Sequence, residues 1–243
     1  MTTTLLHRPA QERGHANYGW LDTWHSFSFA DYHDPAHDGW GPLLVINDDT
    51  VAPGRGFATH GHRDMEIISV VLSGALAHKD SMGHGTSIRP GEVQRMSAGT
   101  GVRHSEFNPQ ADTPTRFLQI WIRPERSGSA PSYEQTEFDP AQRQDRWQLL
   151  ASPDGREGSV TIQQDATLSA IDLTTATPQI RSVKAGRKGY AHLISGELQL
   201  NHLTLSAGDG VKIEGPCELT LTTHTGKADA PAALLWFDLP DHQ

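Results

Sequence analysis

The sequence predicts an all-β protein made of two similar halves, each a sandwich or barrel of short strands. Helical periodicity is scarce, short apolar runs alternate with turn residues, and the second half repeats the pattern of the first. Gly, Pro, Asn and Asp separate the clearest apolar runs of the first half, residues 43–47, 66–72, 75–79, 93–96 and 116–123. A chain of 243 residues can form one large β domain or two of ordinary size.

A change of composition between residues 124 and 158 predicts a connection between two domains. Residues 126–131 contain Ser, Gly and Pro and predict a loop, and the polar stretch 139–146 predicts a short helix. The whole segment is too long to be a turn within one small barrel.

The second half repeats the strand and turn pattern of the first. Residues 68–76 (ISVVLSGAL) compare with residues 190–198 (YAHLISGEL). Each segment is followed by a turn of similar chemistry, Pro90-Gly91-Glu92 in the first half and Ala207-Gly208-Asp209 in the second. This internal repeat predicts two domains of one architecture.

Composition limits the compartment and the partners. The net charge of −9 argues against a direct nucleic-acid partner, which would need clustered Lys and Arg. The single cysteine, Cys217, cannot form an intrachain disulfide, which fits a reducing cytoplasm. The sequence has neither an apolar run long enough to span a membrane nor a secretory signal at its start. We therefore expect a cytoplasmic protein with no membrane partner.

Two short clusters carry the main functional signal. His60 and His62 are separated by one residue, and so are His104 and Glu106. Residues i and i+2 of a strand point to the same face, so each pair aims two ligating groups at one place. Two such strands facing one cavity would present three imidazoles and a carboxylate. That set suits Fe(II), Ni(II), Cu(II) or Zn(II) better than Ca or Mg.

Either pair alone is a weak signal because the chain is rich in histidine. With 14 His in 243 residues, His-x-His should occur roughly 0.8 times by chance. The surrounding glycines add specificity: Gly54 and Gly74 flank the first pair, and Gly91 precedes the second. In each case a glycine turn leads to a ligand-bearing strand, as a small barrel requires.

The second half has the same turns without the ligands. Gly196 is equivalent to Gly74, and Gly208 is equivalent to Gly91. With these glycines aligned, the positions equivalent to His60, His62, His104 and Glu106 are occupied by Ser182, Lys184, Leu221 and Thr223. The sequence therefore predicts a metal site in the first half only.

These motifs resemble those of a known family. The frame Gly54…His60-x-His62…Glu66…Gly74 resembles the first cupin motif. Residues 62–66 (HRDME), 78–83 (HKDSMG) and 96–109 (MSAGTGVRHSEFNP) resemble the pirin family, and more narrowly its bacterial members described as quercetin 2,3-dioxygenases. The likeness continues to residues 235–240 (LWFDLP) and so covers nearly the whole chain.

The resemblance implies a bicupin, in which two jelly-roll cupin barrels face each other across a short helical or loop connection. We expect a metal-binding barrel in residues 1–125, and the connection with a ligand-free barrel in residues 126–243. One divalent transition metal is implied, Fe(II) first and Ni, Cu, Zn, Mn or Co as alternatives. Its ligands would be His60, His62, His104 and Glu106.

Two glutamates compete for the place of the fourth ligand. In many cupins the carboxylate belongs to the first motif, here Glu66, and alternation along one straight strand would put Glu66 on the face of His60 and His62. In pirins it follows the third histidine, here Glu106. We expect Glu106 to bind the metal and Glu66 to have a supporting or structural role.

Two residues depart from the usual family pattern. Gly61 stands where Pro is common, and Arg95 stands where an aromatic or aliphatic residue is common. Alternation puts Arg95 opposite Gln94 and Met96, so we expect it to reach solvent. If Arg95 lined the cavity mouth instead, it would favour an anionic ligand.

The other polar and aromatic candidates are expected to be structural. Ordinary surface or hydrogen-bonded positions are expected for His7, His15, His25, His33, His37, His84, His202 and His242, and a structural one for His224. We expect His78 to point outward or to hydrogen-bond a neighbour, and Asp80 to form a turn. Packing against the barrel, rather than stacking on a substrate, is expected for Trp20, Trp24, Phe27 and Phe29.

The resemblance implies a dioxygenase that opens a flavonol or a similar enolic aromatic ring with O2. Four protein ligands around an octahedral ion would leave two positions for substrate and oxygen. Glu106 would be both a ligand and the catalytic proton acceptor. Two alternatives stay open: a non-catalytic, metal- or redox-sensing regulator of a protein partner, and an enzyme of the same fold with another small substrate.

Overall fold

The computed structural model describes residues 4–223 and 231–241 and confirms the predicted all-β class. Helical structure in these residues is limited to short 3-10 turns, at Ala10–Glu12, Pro35–His37, Pro140–Arg143 and Arg156–Gly158. Within the same ranges, no helix has the length and apolar character needed to cross a membrane.

The described residues form 22 strands. Those of the first half are β1 Leu5–Arg8, β2 Gly14–Asn17, β3 Leu21–His25, β4 Leu43–Val51, β5 Gly56–His62, β6 Glu66–Ser73, β7 Leu76–Asp80, β8 Gly85–Ile88, β9 Glu92–Ser97, β10 Val102–Phe107 and β11 Thr115–Ile122. Those of the second half are β12 Ser132–Glu137, β13 Gln148–Ser152, β14 Val160–Thr161, β15 Thr167–Leu173, β16 Gln179–Val183, β17 Arg187–Ser195, β18 Glu197–Leu200, β19 Leu203–Ser206, β20 Gly210–Glu214, β21 Cys217–Thr222 and β22 Ala232–Pro240.

The two halves have corresponding strand orders, which confirms the internal repeat. They differ at one edge of the large sheets, where β14 pairs parallel with β13 but β2 pairs antiparallel with β3. Each half contains a seven-stranded and a four-stranded sheet. The orders in the first half are β12-β9-β6-β11-β4-β3-β2 and β5-β10-β7-β8. The orders in the second half are β1-β20-β17-β22-β15-β13-β14 and β16-β21-β18-β19. Strand for strand, β5 and β10 of the first barrel therefore correspond to β16 and β21 of the second.

One edge strand of each barrel comes from the other half of the chain. β1 pairs antiparallel with β20 of the second barrel, and β12 pairs antiparallel with β9 of the first. The expected domain boundary at residue 125 stays a prediction. β1 precedes this boundary but belongs to a sheet of the second barrel, and β12 follows it but belongs to a sheet of the first. Edge pairing of this kind covers backbone groups that would otherwise be exposed and ties the two halves together.

The faces of the two large sheets pack against each other and form the largest apolar cluster among the described residues. Leu118 and Ile120 of β11 contribute from the first half, and Tyr190 of β17 and Phe237 of β22 from the second. Phe27 lies 5.2 Å from the ring of Tyr190, centroid to centroid, and so packs across the same boundary. The barrels therefore face each other, as the resemblance implied.

The interior of the second barrel is apolar. Its cluster of buried side chains includes Leu198, Leu219 and Leu221, the last being the predicted equivalent of His104. The other predicted equivalents on β16 and beside it, Ser182 and Lys184, are exposed. Among the described residues, every cluster of three or more potential metal ligands lies in the first barrel.

Two predicted elements have different bounds in the structure. The strand expected over residues 43–47 continues to Val51, because the carboxylate of Asp48 is paired with Arg116 of the neighbouring strand at 2.8 Å. The connection expected as loop and helix contains the strand β12 as well as the short 3-10 turn Pro140–Arg143. β12 is polar at most positions, so apolar periodicity gave no sign of it.

Candidate metal centre

The two histidine clusters lie on neighbouring antiparallel strands of the four-stranded sheet. β5 carries His60 and His62, and β10 carries His104 and Glu106. His104 is the direct cross-strand partner of His60. As the i, i+2 spacing predicts, the two residues of each pair are less exposed than the residue between them.

Three imidazoles converge inside the first barrel. The Nε2 atoms of His60 and His104 are 3.0 Å apart. One ring nitrogen from each of His60, His62 and His104 lies within 4.8 Å of the others. The ring centroids of the three residues are 4.4 to 4.9 Å apart. This geometry places three nitrogen donors around one point.

Burial keeps two of these histidines neutral. The pKa of His62 is lowered to about 4, mainly by burial and to a smaller extent by His60. Burial also lowers the pKa of His104 to about 2, with smaller contributions from His60 and His62. A neutral imidazole has a free lone pair, which is the form that binds a metal ion. The donor set therefore fits a borderline divalent ion.

Glu106 is buried in the barrel beside the histidine cluster. The register shifts between His104 and Glu106, so that Glu106 pairs with Phe57 on β5. Gln119 Nε2 donates to both carboxylate oxygens, at 3.2 and 3.0 Å. The pKa of Glu106 is raised to about 7, mainly by burial and to a smaller extent by the nearby Asp49, while the hydrogen bond from Gln119 opposes the shift. Glu106 also lies near His78 and His104. One potential ligand atom from each of these three residues lies within 4.8 Å of the others.

His78 points into the barrel, so the expectation that it faces outward is wrong, and the expectation of a hydrogen-bonded histidine is confirmed. It is 2% exposed on β7, directly opposite Glu106. Its Nδ1 lies 3.5 Å from Nδ1 of His104, and its Nε2 lies 3.4 Å from the carboxylate of Asp80. The predicted turn at Asp80 is present, since its carboxylate accepts from the backbone N–H groups of Met82 and His84.

Glu66 does not share a strand with the histidines. β5 ends at His62 and Glu66 begins β6 in the other sheet, after a turn in which Asp64 has a φ of 48°. Alternation therefore does not apply across this turn. The carboxylate of Glu66 accepts from Ser97 Oγ at 2.8 Å and from the backbone N–H of Gln163 at 3.2 Å. The contact with Gln163 joins the two halves of the chain.

Arg95 does not reach solvent, and that expectation is wrong. Its side chain is buried and forms an ion pair of 2.8 Å with Glu134. Arg95 Nη1 also donates to Ser97 and Ser132. The reason is the unpredicted strand β12, which lies beside β9 and places Glu134 directly opposite Arg95.

A cavity of about 150 Å³ opens beside the histidine cluster. Phe29 and Trp121 form part of its apolar wall, with their rings 5.3 Å apart and edge to face. Its polar lining consists of Thr23, His25, Asn47, Asp49, His60, Glu106 and Gln119. Hydroxyl, amide, imidazole and carboxylate groups therefore meet an aromatic wall at the candidate metal centre.

Three residues of this region were missed by sequence reasoning. Asp49 and His25 line the cavity, and His78 stands behind His104. A signal for His78 was available: Lys79 favours solvent, so alternation would put His78 inside. A signal for Asp49 was its place between the apolar run at 43–47 and Val51.

The remaining expectations are largely confirmed. His15 and His7 form hydrogen-bonded pairs with Asp22 and Asp209. Exposed or partly exposed positions are found for His33, His37, His84 and His202, whereas His224 and His242 lie outside the described residues. Trp20 and Trp24 pack against Phe57 and His15, and Phe27 packs between the barrels, but Phe29 lines the cavity.

Two cupin-type barrels, one with converging histidines in its interior, define a bicupin with a candidate centre for a divalent metal ion. The chain belongs to the pirin family: the pirin family model matches residues 6–122, and the quercetinase C-terminal cupin model matches residues 149–239.

Full-length relatives confirm the family and the fold. The protein named quercetin 2,3-dioxygenase from Escherichia coli strain K12 is 45% identical over 233 residues, which are 96% of this chain and 97% of that protein. A pirin-like protein from Caulobacter vibrioides is 38% identical over 216 residues, 88% of this chain and 93% of that protein. The bacterial pirin YhhW from Escherichia coli, in complex with nickel(II), has a TM-score of 0.90 and 42% identity, covering 98% of this chain and 99% of that chain.

Proposed function

We propose that this pirin is a metal-dependent dioxygenase that opens a flavonol or a related enolic aromatic ring with O2. The observation that carries the proposal is the converging histidine cluster of the first barrel, which adjoins through His60 a cavity with an aromatic wall. The full-length similarity to a protein named quercetin 2,3-dioxygenase supports the same reaction class.

The proposed ligands are His60, His62, His104 and Glu106. The three histidines already converge, and Glu106 lies two residues after His104 on the inward face of β10. Glu66 is unsuited to the role because its carboxylate is engaged by Ser97 and Gln163 in the other sheet. Fe(II) is the proposed ion, with Ni, Cu, Zn, Mn and Co as alternatives, and the nickel(II) complex of YhhW supports a first-row divalent ion.

The cavity residues would bind and orient the substrate. When bound, the ion would supply the Lewis acidity and redox chemistry that activate an enolic ring toward O2. Phe29 and Trp121 would contact the aromatic rings, and Glu106 and Asp49 offer carboxylates where a hydroxyl would enter. At about 150 Å³ the cavity is smaller than most ligand sites. We therefore expect the aromatic wall to shift when a flavonol binds.

Partners and compartment follow from the same proposal. A small aromatic substrate and O2 are the proposed partners, with no direct nucleic-acid partner, in keeping with the net charge of −9. The cytoplasm is the proposed compartment, supported by the single cysteine of the chain.

Oxygen uptake by Fe(II)-loaded protein with a panel of flavonols tests the reaction. We expect uptake with at least one flavonol, and its loss in the variants His62→Ala and Glu106→Ala, because each removes a proposed ligand. The exposed His15→Ala variant, which lies outside the cavity, should keep full activity. Metal-replete protein that is inert toward every enolic aromatic would contradict the proposal and favour the regulatory alternative.

Metal analysis of Glu66→Gln and Glu106→Gln tests the ligand assignment. The Glu106 variant should lose the ion, or bind it much more weakly, whereas the Glu66 variant should keep it. Metal retained in the Glu106 variant and lost in the Glu66 variant would show that the carboxylate ligand belongs to the first motif.

A further inference from the structure

Asp49 is a buried carboxylate that faces the cavity beside His60 and Glu106. It lies on β4, is 4% exposed and belongs to the cavity lining. One of its carboxylate oxygens, Oδ1, is buried without a hydrogen-bond partner among the described residues. Thr23, on the adjacent strand β3, lies directly opposite Asp49. A buried carboxylate with an unused acceptor is costly unless a ligand completes it.

The neighbouring residue shows what a structural carboxylate looks like in this strand. Asp48 points to the opposite face and accepts two hydrogen bonds of 2.8 Å from the guanidinium of Arg116. Asp49, in contrast to Asp48, forms no ion pair within the described residues. The two adjacent aspartates therefore differ: Asp48 is paired with Arg116, whereas Asp49 faces the cavity.

The surroundings of Asp49 suit a group that exchanges a proton near neutral pH. Its pKa is raised to about 7, mainly by burial and to a smaller extent by the charge of Asp48, while Thr23 opposes the shift. A proton acceptor works best when its pKa lies near the working pH. Glu106 is less free for this task, because Gln119 already donates to both of its oxygens and it is the proposed metal ligand.

We propose that Asp49 Oδ1 takes the proton from the substrate hydroxyl that enters the cavity. The O–H bond of the substrate breaks, the proton joins Oδ1, and the electron pair stays on the substrate oxygen as an oxyanion. The proton returns to the ring-opened product, so Asp49 ends the cycle ionised. This inference rests on the proposed dioxygenase function and moves the acceptor role from Glu106 to Asp49.

The variant Asp49→Asn keeps the size of the side chain and removes the acceptor. Metal-loaded protein is mixed anaerobically with enolic aromatics whose hydroxyl pKa values span several units, and the absorption spectrum shows whether the bound compound is ionised. Wild-type protein should bind weakly acidic members in the ionised form, and Asp49→Asn should bind them as neutral hydroxyls. Metal content should be equal in the two proteins.

Turnover of the same series gives a second measurement. Loss of the acceptor should lower kcat by about 10²- to 10⁴-fold for weakly acidic substrates, and much less for those already ionised in solution. Asp48→Asn makes the same charge change on the face away from the cavity, so it should not alter the dependence on substrate acidity. Where the amide variant folds poorly, Asp49→Ser removes the acceptor with a smaller side chain.

The outcomes separate this inference from the proposed function. Ionised substrate in Asp49→Asn, or an equal loss of kcat across the series, would overturn the role of Asp49 alone. Wild-type protein that ionises a bound aromatic without consuming oxygen would overturn the dioxygenase function and support the role of Asp49. Wild-type protein that neither binds nor ionises any member would overturn both.

Discussion

The two ring nitrogens of His104 face different neighbours. Nε2 lies 3.0 Å from His60, and Nδ1 lies 3.5 Å from Nδ1 of His78. His78 in turn approaches the carboxylate of Asp80 through its Nε2. One protonation pattern satisfies this chain: His104 donates from Nδ1 to His78, and His78 donates from Nε2 to Asp80. His104 is then left with a free lone pair on Nε2, directed at the other histidines.

Replacing His78 should weaken metal binding without removing a ligand. In His78→Phe the ring stays but the acceptor for His104 is lost, so we expect a 10- to 100-fold lower affinity. Competition with a chromophoric chelator measures the change, and the exposed His15→Ala is the matched control. Unchanged affinity would contradict the role of His78, and complete loss of stoichiometric binding would show that His78 is itself a ligand.

The sequence located the three converging histidines but not the residues that contact them. The i, i+2 spacing within one strand was enough to bring His60 and His62 together. The environment of Asp49 could not be predicted, because it depends on which strands of the barrel surround it. The sheet to which Glu66 belongs could not be predicted either. The chain passes from one sheet to the other at a turn in which Asp64 has a left-handed backbone conformation.

The strands β5 and β10 lie in close contact at Gly56. A Cβ atom on Gly56 would clash with the backbone of Glu106 and Phe107, because the register shift brings the two strands together there. The equivalent atom on Gly61 would lie 3.6 Å from the carbonyl oxygen of Val102, which is ordinary contact. One glycine of this strand is therefore required by packing, whereas the glycine between the two histidines is not.

The pair Gly56→Ala and Gly61→Ala tests this difference. Gly56→Ala should lower the free energy of unfolding by about 1–3 kcal/mol, because it forces apart two packed strands, and should weaken metal binding by displacing Glu106. Gly61→Ala should change stability by no more than about 0.5 kcal/mol. Urea denaturation and chelator competition measure both effects. Equal tolerance of the two substitutions would contradict the packing derived at Gly56.

Strands with apolar residues could be predicted from the sequence. Strands that form only because they pair with a neighbouring strand could not. The run 66–72 became β6 because its side chains are buried on both faces. β12 is polar and exists because it pairs with β9. The same pairing explains why Arg95 is buried rather than solvated.

The interface between the barrels contains polar groups as well as the apolar cluster. His192 of β17 is fully buried there, with neither ring nitrogen hydrogen-bonded within the described residues. The pKa of His192 is lowered to about 4, mainly by burial and also by the charges of Arg13 and Arg116, while Asp48 and Asp209 oppose the shift. The cation is therefore disfavoured at this interface.

Stability should fall in acid partly through His192. Above about pH 6.5 the residue is neutral in both folded and unfolded protein. Between 6.5 and about 4 the unfolded chain binds the proton and the folded protein does not. Folding then loses up to about 3 kcal/mol as the pH falls through this range.

The variant His192→Leu isolates this contribution. In metal-free protein, the unfolding free energy of wild type should decline more steeply from pH 6.5 to 4 than that of the variant. Denaturant titrations at several pH values give the unfolding free energy of both proteins. The difference between wild type and variant at each pH cancels the contribution of the other histidines. Parallel curves would contradict the assignment.

At the scale of the molecule, the repeat and the resemblance predicted two facing barrels with ligands in only one of them. The exchange of β1 and β12 between the halves could not be predicted, because it depends on distant strand pairing. We propose that one ion is held in the first barrel by His60, His62, His104 and Glu106. Anomalous diffraction from metal-loaded crystals shows where the ion lies. We predict a single strong peak among these four side chains, whereas a peak bounded by Glu66, or an ion in the second barrel, would contradict the proposed site.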